Sequence, residues 1–212
     1  MPVAVIVDII GSRGIADRVA AQRALDDTVA AITDAGPTPT TALHPIVGDE
    51  LQGVYGTLDH ALAAILLFRL ALPAPLDCRF GLGIGAVGTI PSATGDISEG
   101  PGWWAARDAI ETVERMQRRS APGLRTWVAA SVDGDLDPGA VRRANAYLLA
   151  RDELVTNMPE RTRRLAYGRC LGLTQRALAE DEGVTQSAVS QALASAGGSA
   201  VVEGYRLLAM TG

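Results

Sequence analysis

Apolar positions along this chain change period several times, and each change predicts an element. Val3 to Ile10 is an apolar, β-branched run broken only by Asp8, the pattern of a central strand covered on both faces. From Ile15 to Ile32 the spacing turns helical through Val19, Ala24, Leu25 and Val29, and it stops at Gly36-Pro37. Thr40 to Val47 and Leu51 to Tyr55 read as two strands joined by a tight Gly48-Asp49 turn. Asp59 to Leu72 is a second helix, apolar almost all round, halted by Pro73 and Pro75. Cys78 to Val87 is a glycine-punctuated strand, where missing side chains let another backbone or a ligand come close. A Gly/Pro/Ser-rich loop from Gly88 to Gly102 leads to a helix over Trp103 to Arg119 and a strand over Leu124 to Ala130.

This order, βαββαβαβ, predicts an α+β fold: a ferredoxin-like βαββαβ palm occupying residues 1–135. From Pro138 on every pattern is helical, which predicts an all-α domain over residues 136–212. The apolar share of 48% in 212 residues is ample for a core. No lysine occurs, which excludes a Walker A lysine and a Schiff-base lysine together. Cys78 and Cys170 are far apart and lack spaced histidines, so neither a disulfide framework nor a zinc site is expected. The longest apolar stretch, Ala61 to Leu72, contains Arg69 and is too short to span a bilayer. With no signal peptide to read, the expectation is a cytoplasmic protein that does not enter the membrane.

Two carboxylates stand out in the first half. Asp8 ends an apolar run beside Gly11-Ser12-Arg13, and Asp49 sits at the tip of the adjacent hairpin. Carboxylates are costly to bury unless a cation or hydrogen bonds meet them. At neighbouring strand ends, Asp8 and Asp49 could share a Mg²⁺ or Mn²⁺ ion, while backbone N–H groups of Gly11, Ser12 and Arg13 at a helix start would attract phosphate. Taken singly, each aspartate also fits a helix cap or a turn. Glu50 is a candidate third ligand or general base, or an exposed hairpin glutamate. Trp103 and Trp104 could stack on a base, although a packed helix start suits them better. Ser12 has no His–Asp partner nearby, and His44 and His60 read as surface or satisfied residues.

In the second half, Leu173 to Ser195 has helix-turn-helix spacing. Thr174 caps a helix whose Leu178 and Ala179 face inward, Gly183 supplies a left-handed turn, and Val184 is buried. Thr185 caps a second helix with Val189 and Leu193 inward, leaving Gln186, Ser187, Ser190 and Gln191 outward. Glutamine pairs bidentately with adenine, and serine is a small adaptable donor. Residues 161–176 carry Arg161, Arg163, Arg164, Arg169 and Arg176 and no acid, so phosphate contacts from Arg176 and its neighbours are expected. The net charge of −5 argues against non-specific nucleic-acid binding by the whole molecule. One such module reads half a site, which predicts a homodimer on double-stranded DNA. A helical hairpin that only packs or dimerises is the plainer alternative.

The segments VDIIGSR, GDELQG, GLGIG and GPGWWAARDAIE, with the TQ…LA…GVTQSAVSQAL helix pair, together resemble the SatD family over nearly the whole chain. The first part also resembles class III nucleotide cyclase and GGDEF-type palm domains. That resemblance implies metal ligation of a nucleoside triphosphate at Asp8 and Asp49, and a transition-state role for Arg107 within Ala105-Ala106-Arg107. The chain departs from the cyclase pattern where Trp103 replaces the asparagine expected four residues before Arg107, and from the GGDEF pattern where Val47 replaces glycine. Ground-state ligands without transition-state groups describe a sensor better than an enzyme. The expected protein is therefore a DNA-binding transcription regulator with a nucleotide- and metal-sensing palm. The alternative is an active nucleotidyl cyclase, or a related phosphoryl-transfer enzyme, with an appended DNA-binding module.

Overall fold

A computed structural model describes residues 1–46, 50–91, 97–131 and 137–210. The first half contributes strands β1 (Val3–Ile9), β2 (Thr41–Pro45), β3 (Glu50–Tyr55) and β4 (Cys78–Ile84), with helices α1 (Arg18–Ala35) and α2 (Leu58–Ala71) between them. A short hairpin of β5 (Gly88–Ile90) and β6 (Ile97–Glu99) follows, then α3 (Pro101–Gln117) and β7 (Thr126–Ala130). The sheet order is β2-β3-β1-β4-β7, antiparallel throughout except for the parallel β4–β7 pair. The first four strands thus have the order of a ferredoxin-like βαββαβ unit, and the α3 crossover adds a fifth.

Alternation along β1 divides the core. Val3, Val5, Val7 and Ile9 face α1 and α2, whereas Ala4 and Ile6 pack with Trp103, Ala106 and Ile110 of α3. The glycines of β4 serve this second contact. A Cβ at Gly81 would lie 2.2 Å from the Ala106 carbonyl oxygen, and one at Gly83 would lie 2.0 Å from that of Gly102. Backbone of α3, rather than a ligand, is therefore what approaches the glycine-punctuated strand. The expected loop over 88–102 instead contains β5, β6 and the first turn of α3, begun by Pro101 after Gly100 at φ +120°.

Helix α1 starts later than expected, at Arg18, capped by the Asp17 carboxylate accepting from Ala20 N–H at 2.9 Å. Its inward face is Ala21, Leu25, Thr28 and Ile32, and Val19 is 62% exposed. Residues 12–14 form a single 3-10 turn after Gly11, which adopts a left-handed conformation at φ 71°. The boundary is missed because Ile15 and Val19 keep helical spacing although the helix begins between them.

Helices α4 (Pro138–Thr156), α5 (Glu160–Cys170), α6 (Gln175–Asp181), α7 (Gln186–Ser195) and α8 (Gly198–Ala209) complete the chain. The expected domain boundary near residue 135 lies outside the described residues. The helices beyond it share one apolar core with the sheet: Leu165, Val189 and Val201 belong to the same buried cluster as Leu25, Ile65 and Phe80. Helix α2 is buried from Ala61 to Leu70 because the sheet covers one side and α5 and α8 the other.

Helix α4 closes the sheet's β7 edge with side chains. Asn145 accepts from Val128 N–H and donates to its carbonyl, both at 2.8 Å, as a neighbouring strand would. Asp152 accepts from the backbone N–H groups of Arg125 at 2.7 Å and Thr126 at 2.6 Å. No helix among the described residues is long and apolar enough to cross a membrane.

Candidate functional site

Three adjacent strands place charged side chains side by side at one end of the sheet. Asp8 of β1 is paired in register with Glu50 of β3 on one side and Arg79 of β4 on the other. Directly opposed residues in an antiparallel pair bring their Cβ atoms within about 5 Å, so the three form one row. This row continues the α3-facing side of the sheet, beyond Ile6 and Gly81, and is flanked by Arg107 and Gln117 of α3.

Arg79 donates to the Asp8 carboxylate at 3.0 Å, and its Nε donates to Gln117 Oε1 at 2.7 Å. Gln117 is itself held by the Leu124 carbonyl at 2.7 Å. Arg107 of α3 grips Glu50 with both terminal nitrogens, each at 2.8 Å, and Gln52 donates to the same carboxylate at 2.9 Å. Such forked pairs fix orientation as well as charge. The hydrogen bond to Glu50 above all holds the Arg107 guanidinium more firmly in its charged form; burial opposes this, and the nearby Glu111 and Asp8 charges add to it. The Asp8 side chain is 35% and that of Arg107 47% exposed, so a solute can reach both.

The arrangement is two carboxylates and two guanidiniums in matched pairs. The carboxylates of Asp8 and Glu50 suit a hard divalent cation, which takes one or two carboxylates and completes its shell from water and phosphate. The guanidiniums suit the phosphate oxygens. A cation and a phosphate together could replace both internal pairs without leaving a charge unmatched. No group of three or more His, Cys, Asp or Glu side chains poised for a metal occurs among the described residues.

Other expected site residues are placed differently. Asp49 lies outside the described residues, as do Val47 and Gly48. Gly11, Ser12 and Arg13 do not open α1, whose start Asp17 already caps, so the phosphate cradle expected at a helix start is corrected to an isolated 3-10 turn. Trp103 is packed beneath α3 against Ala4, Ile6 and Val54, whereas Trp104 is exposed. Arg79, Gln52 and Gln117 were missing from the sequence-derived set. Only the β1–β4 register reveals Arg79, since 71 residues separate it from Asp8.

In the helical half, α6 and α7 are capped by the Thr174 and Thr185 hydroxyls, with Gly183 at φ 64° between them. Leu178, Ala179, Val189 and Leu193 are buried, Val184 is half-buried, and Gln186, Ser187, Ser190 and Gln191 are exposed. The expected basic patch needs correction. Arg164 is held by both oxygens of Glu182, at 2.7 and 2.9 Å, and Arg161 approaches the same carboxylate at 3.6 Å. Arg176 pairs with Glu180 at 3.1 Å, and Arg169 donates to the Leu173 carbonyl. Acids absent from residues 161–176 in sequence are supplied in space by the next helix. Hydrogen bonds from Arg164 hold Glu182 below the usual carboxylate range.

Fold and site together define a ferredoxin-like palm, carrying a charged cluster at one end of its sheet and a helical layer on its face. The chain belongs to the SatD family, whose model matches residues 2–133. No curated protein matches it. Among solved structures it is similar to a bacterial light-regulated adenylyl cyclase, at 14% identity over 68% of this chain and 79% of that one, with a TM-score of 0.42. It is also similar to the guanylyl cyclase domain of a rhodopsin fusion protein from the aquatic fungus Blastocladiella emersonii: 14% identity, 52% and 73% coverage, TM-score 0.41. A third is the guanylate cyclase domain from Catenaria anguillulae in complex with GTP, at 18% identity, 56% and 72% coverage and a TM-score of 0.39.

Proposed function

We propose that the palm binds a nucleoside triphosphate together with a divalent cation at the Asp8–Glu50–Arg79–Arg107 cluster. The observation that supports this most is the pairing of two carboxylates with two arginines on one solvent-reachable sheet end. Asp8 and Glu50, with Asp49 as a further ligand, would hold Mg²⁺ or Mn²⁺, and Arg79 and Arg107 would turn to the phosphates. The cation would neutralise phosphate charge and fix the triphosphate's orientation.

Binding of the nucleotide does not require its turnover. Arg107 is available for phosphate charge, but the position where a cyclase resemblance calls for asparagine is a buried tryptophan. The reading is therefore a nucleotide sensor, and the active cyclase is the competing outcome of its test. Melting curves with ATP or GTP and Mn²⁺ should rise for the wild type and stay flat for Asp8→Ala. Chromatography of the same mixtures should return the nucleotide unchanged; a cyclic product lost in Asp8→Ala would establish the enzyme instead.

A second reading concerns the helical half and rests on α7, whose outward residues are small or amide-bearing. Gln186, Ser187, Ser190 and Gln191 would read bases, and Thr185 and Arg176 would touch the backbone, in a cytoplasmic homodimer acting on transcription. Selection of bound fragments from random duplexes supplies the target; Gln186→Ala or Gln191→Ala should then lower affinity for it by about tenfold or more. Unchanged binding by both variants would remove α7 as the reading helix.

A further inference from the structure

A cavity of about 200 Å³ lies between the sheet and the helical layer. Cys78 and Phe80 form part of its wall, and they alternate along β4 with Arg79. It therefore opens on the opposite face of the sheet from the Asp8 cluster. Arg69 of α2 and Arg163 of α5 also line it, together with Asp77 and Thr156.

Arg69 is 5% exposed and donates to Asp152 at 2.6 Å and to the Thr156 hydroxyl at 2.9 Å. Arg163 is different. Its Nε is buried without a hydrogen-bond partner, and its guanidinium makes no ion pair with any described residue. Asp77 is already matched by Arg125 at 2.7 Å, and Asp152 also serves Arg151. Arg69 and Arg163 thus line the cavity and Arg125 pairs with its wall, while the nearby carboxylates of Asp77 and Asp152 are both already matched. Burial holds Arg69 down at about 10; Asp152 opposes this and the charges of Arg151 and Arg125 reinforce it. Arg163 is half-buried, and a guanidinium whose Nε is buried without a partner favours an anion beside it.

We propose that this cavity binds a small oxyanion, a phosphate or sulfate group, between the Arg69 and Arg163 guanidiniums. Forked N–H donors match two oxygens of such a group, and Arg163 has its donors unspent. The volume equals that of roughly seven liquid waters, which admits inorganic phosphate or a phosphate on a short stub. The ligand would bridge α2 and α5, and this site is independent of the palm cluster.

Thermal melting of the full chain in sodium phosphate, against sodium chloride at equal ionic strength, tests the site. At ten times the dissociation constant the wild type should gain about 3 to 6 °C. Arg163→Gln should retain only the small general effect of phosphate on burial, and Arg163→Lys should bind more weakly than wild type. Calorimetric titration of phosphate into the wild type supplies a second measurement that does not depend on Arg163 variants folding; it should show saturable heat. Absence of a phosphate-specific rise, an equal rise in Arg163→Gln, or no saturable heat in the wild type would each overturn the proposal.

Discussion

Asp152 shows how a single buried carboxylate holds two parts of this molecule together. Its two oxygens serve Arg69, Arg151 and the backbone N–H groups of Arg125 and Thr126. Removing one partner of such a network leaves the others charged and unmatched, so Asp152→Ala should cost about 3 to 5 kcal/mol in chemical denaturation. Asp152→Asn, which keeps one acceptor, should cost less. Burial pushes the Asp152 carboxyl up, but Arg151, Arg69 and the hydrogen bonds outweigh it and leave the group below the ordinary value of 3.8. A carboxyl depressed in the folded state contributes stability above that value and loses it as pH falls through the folded pKa. Acid unfolding of the wild type should therefore show a stability loss below about pH 4 that Asp152→Asn lacks. None of this was legible in sequence, because Arg69, Arg125 and Thr126 lie 26 to 83 residues from Asp152. Asp8 was legible because an acid inside an apolar strand demands an explanation; its partner Arg79 was not, because strand register is a tertiary fact.

At the scale of elements, the glycines of β4 and the small residues of α3 form one contact. Gly83→Ala would drive a methyl group into the Gly102 carbonyl and Ala106 backbone, and neither can yield without moving the helix. The substitution should cost about 1 to 3 kcal/mol or more, read as a lower denaturant midpoint. It should also loosen Arg107 from Glu50. The succession of elements from β1 to β4 and the α6 and α7 caps were readable from local pattern, because turn glycines and capping threonines act within a few residues. The start of α1 and the β5–β6 hairpin were not, since a 3-10 turn and three-residue strands leave no periodic trace. The arginine run before α6 misled for a similar reason: its acids arrive from Glu180 and Glu182. If α7 reads DNA, Glu182→Gln should release Arg161 and Arg164 for phosphate. Fluorescence anisotropy should then show tighter binding and a salt slope steeper by about one to two. Weaker or unchanged binding would mean that these arginines do not face the duplex.

Across the whole molecule, sheet and helices are one packed body. Asn145 and Asp152 fasten α4 to the β7 edge, and α2 is shared by the sheet and by α5 and α8. A ligand that draws Arg79 and Arg107 from their carboxylates would act on β4 and α3, which β7 adjoins directly, and α4 packs in turn on β7. That continuity is the physical route by which palm occupancy could bias the helical layer, and composition alone could not reveal it. The Asp8 cluster is the proposed nucleotide and cation site. Its most direct test is calorimetric titration of Mn²⁺ with ATP, and separately with GTP, into wild type, Asp8→Ala and Arg163→Gln. Saturable binding of at least one nucleotide is predicted in wild type and Arg163→Gln and not in Asp8→Ala. No binding by the wild type, or equal binding by Asp8→Ala, would contradict it.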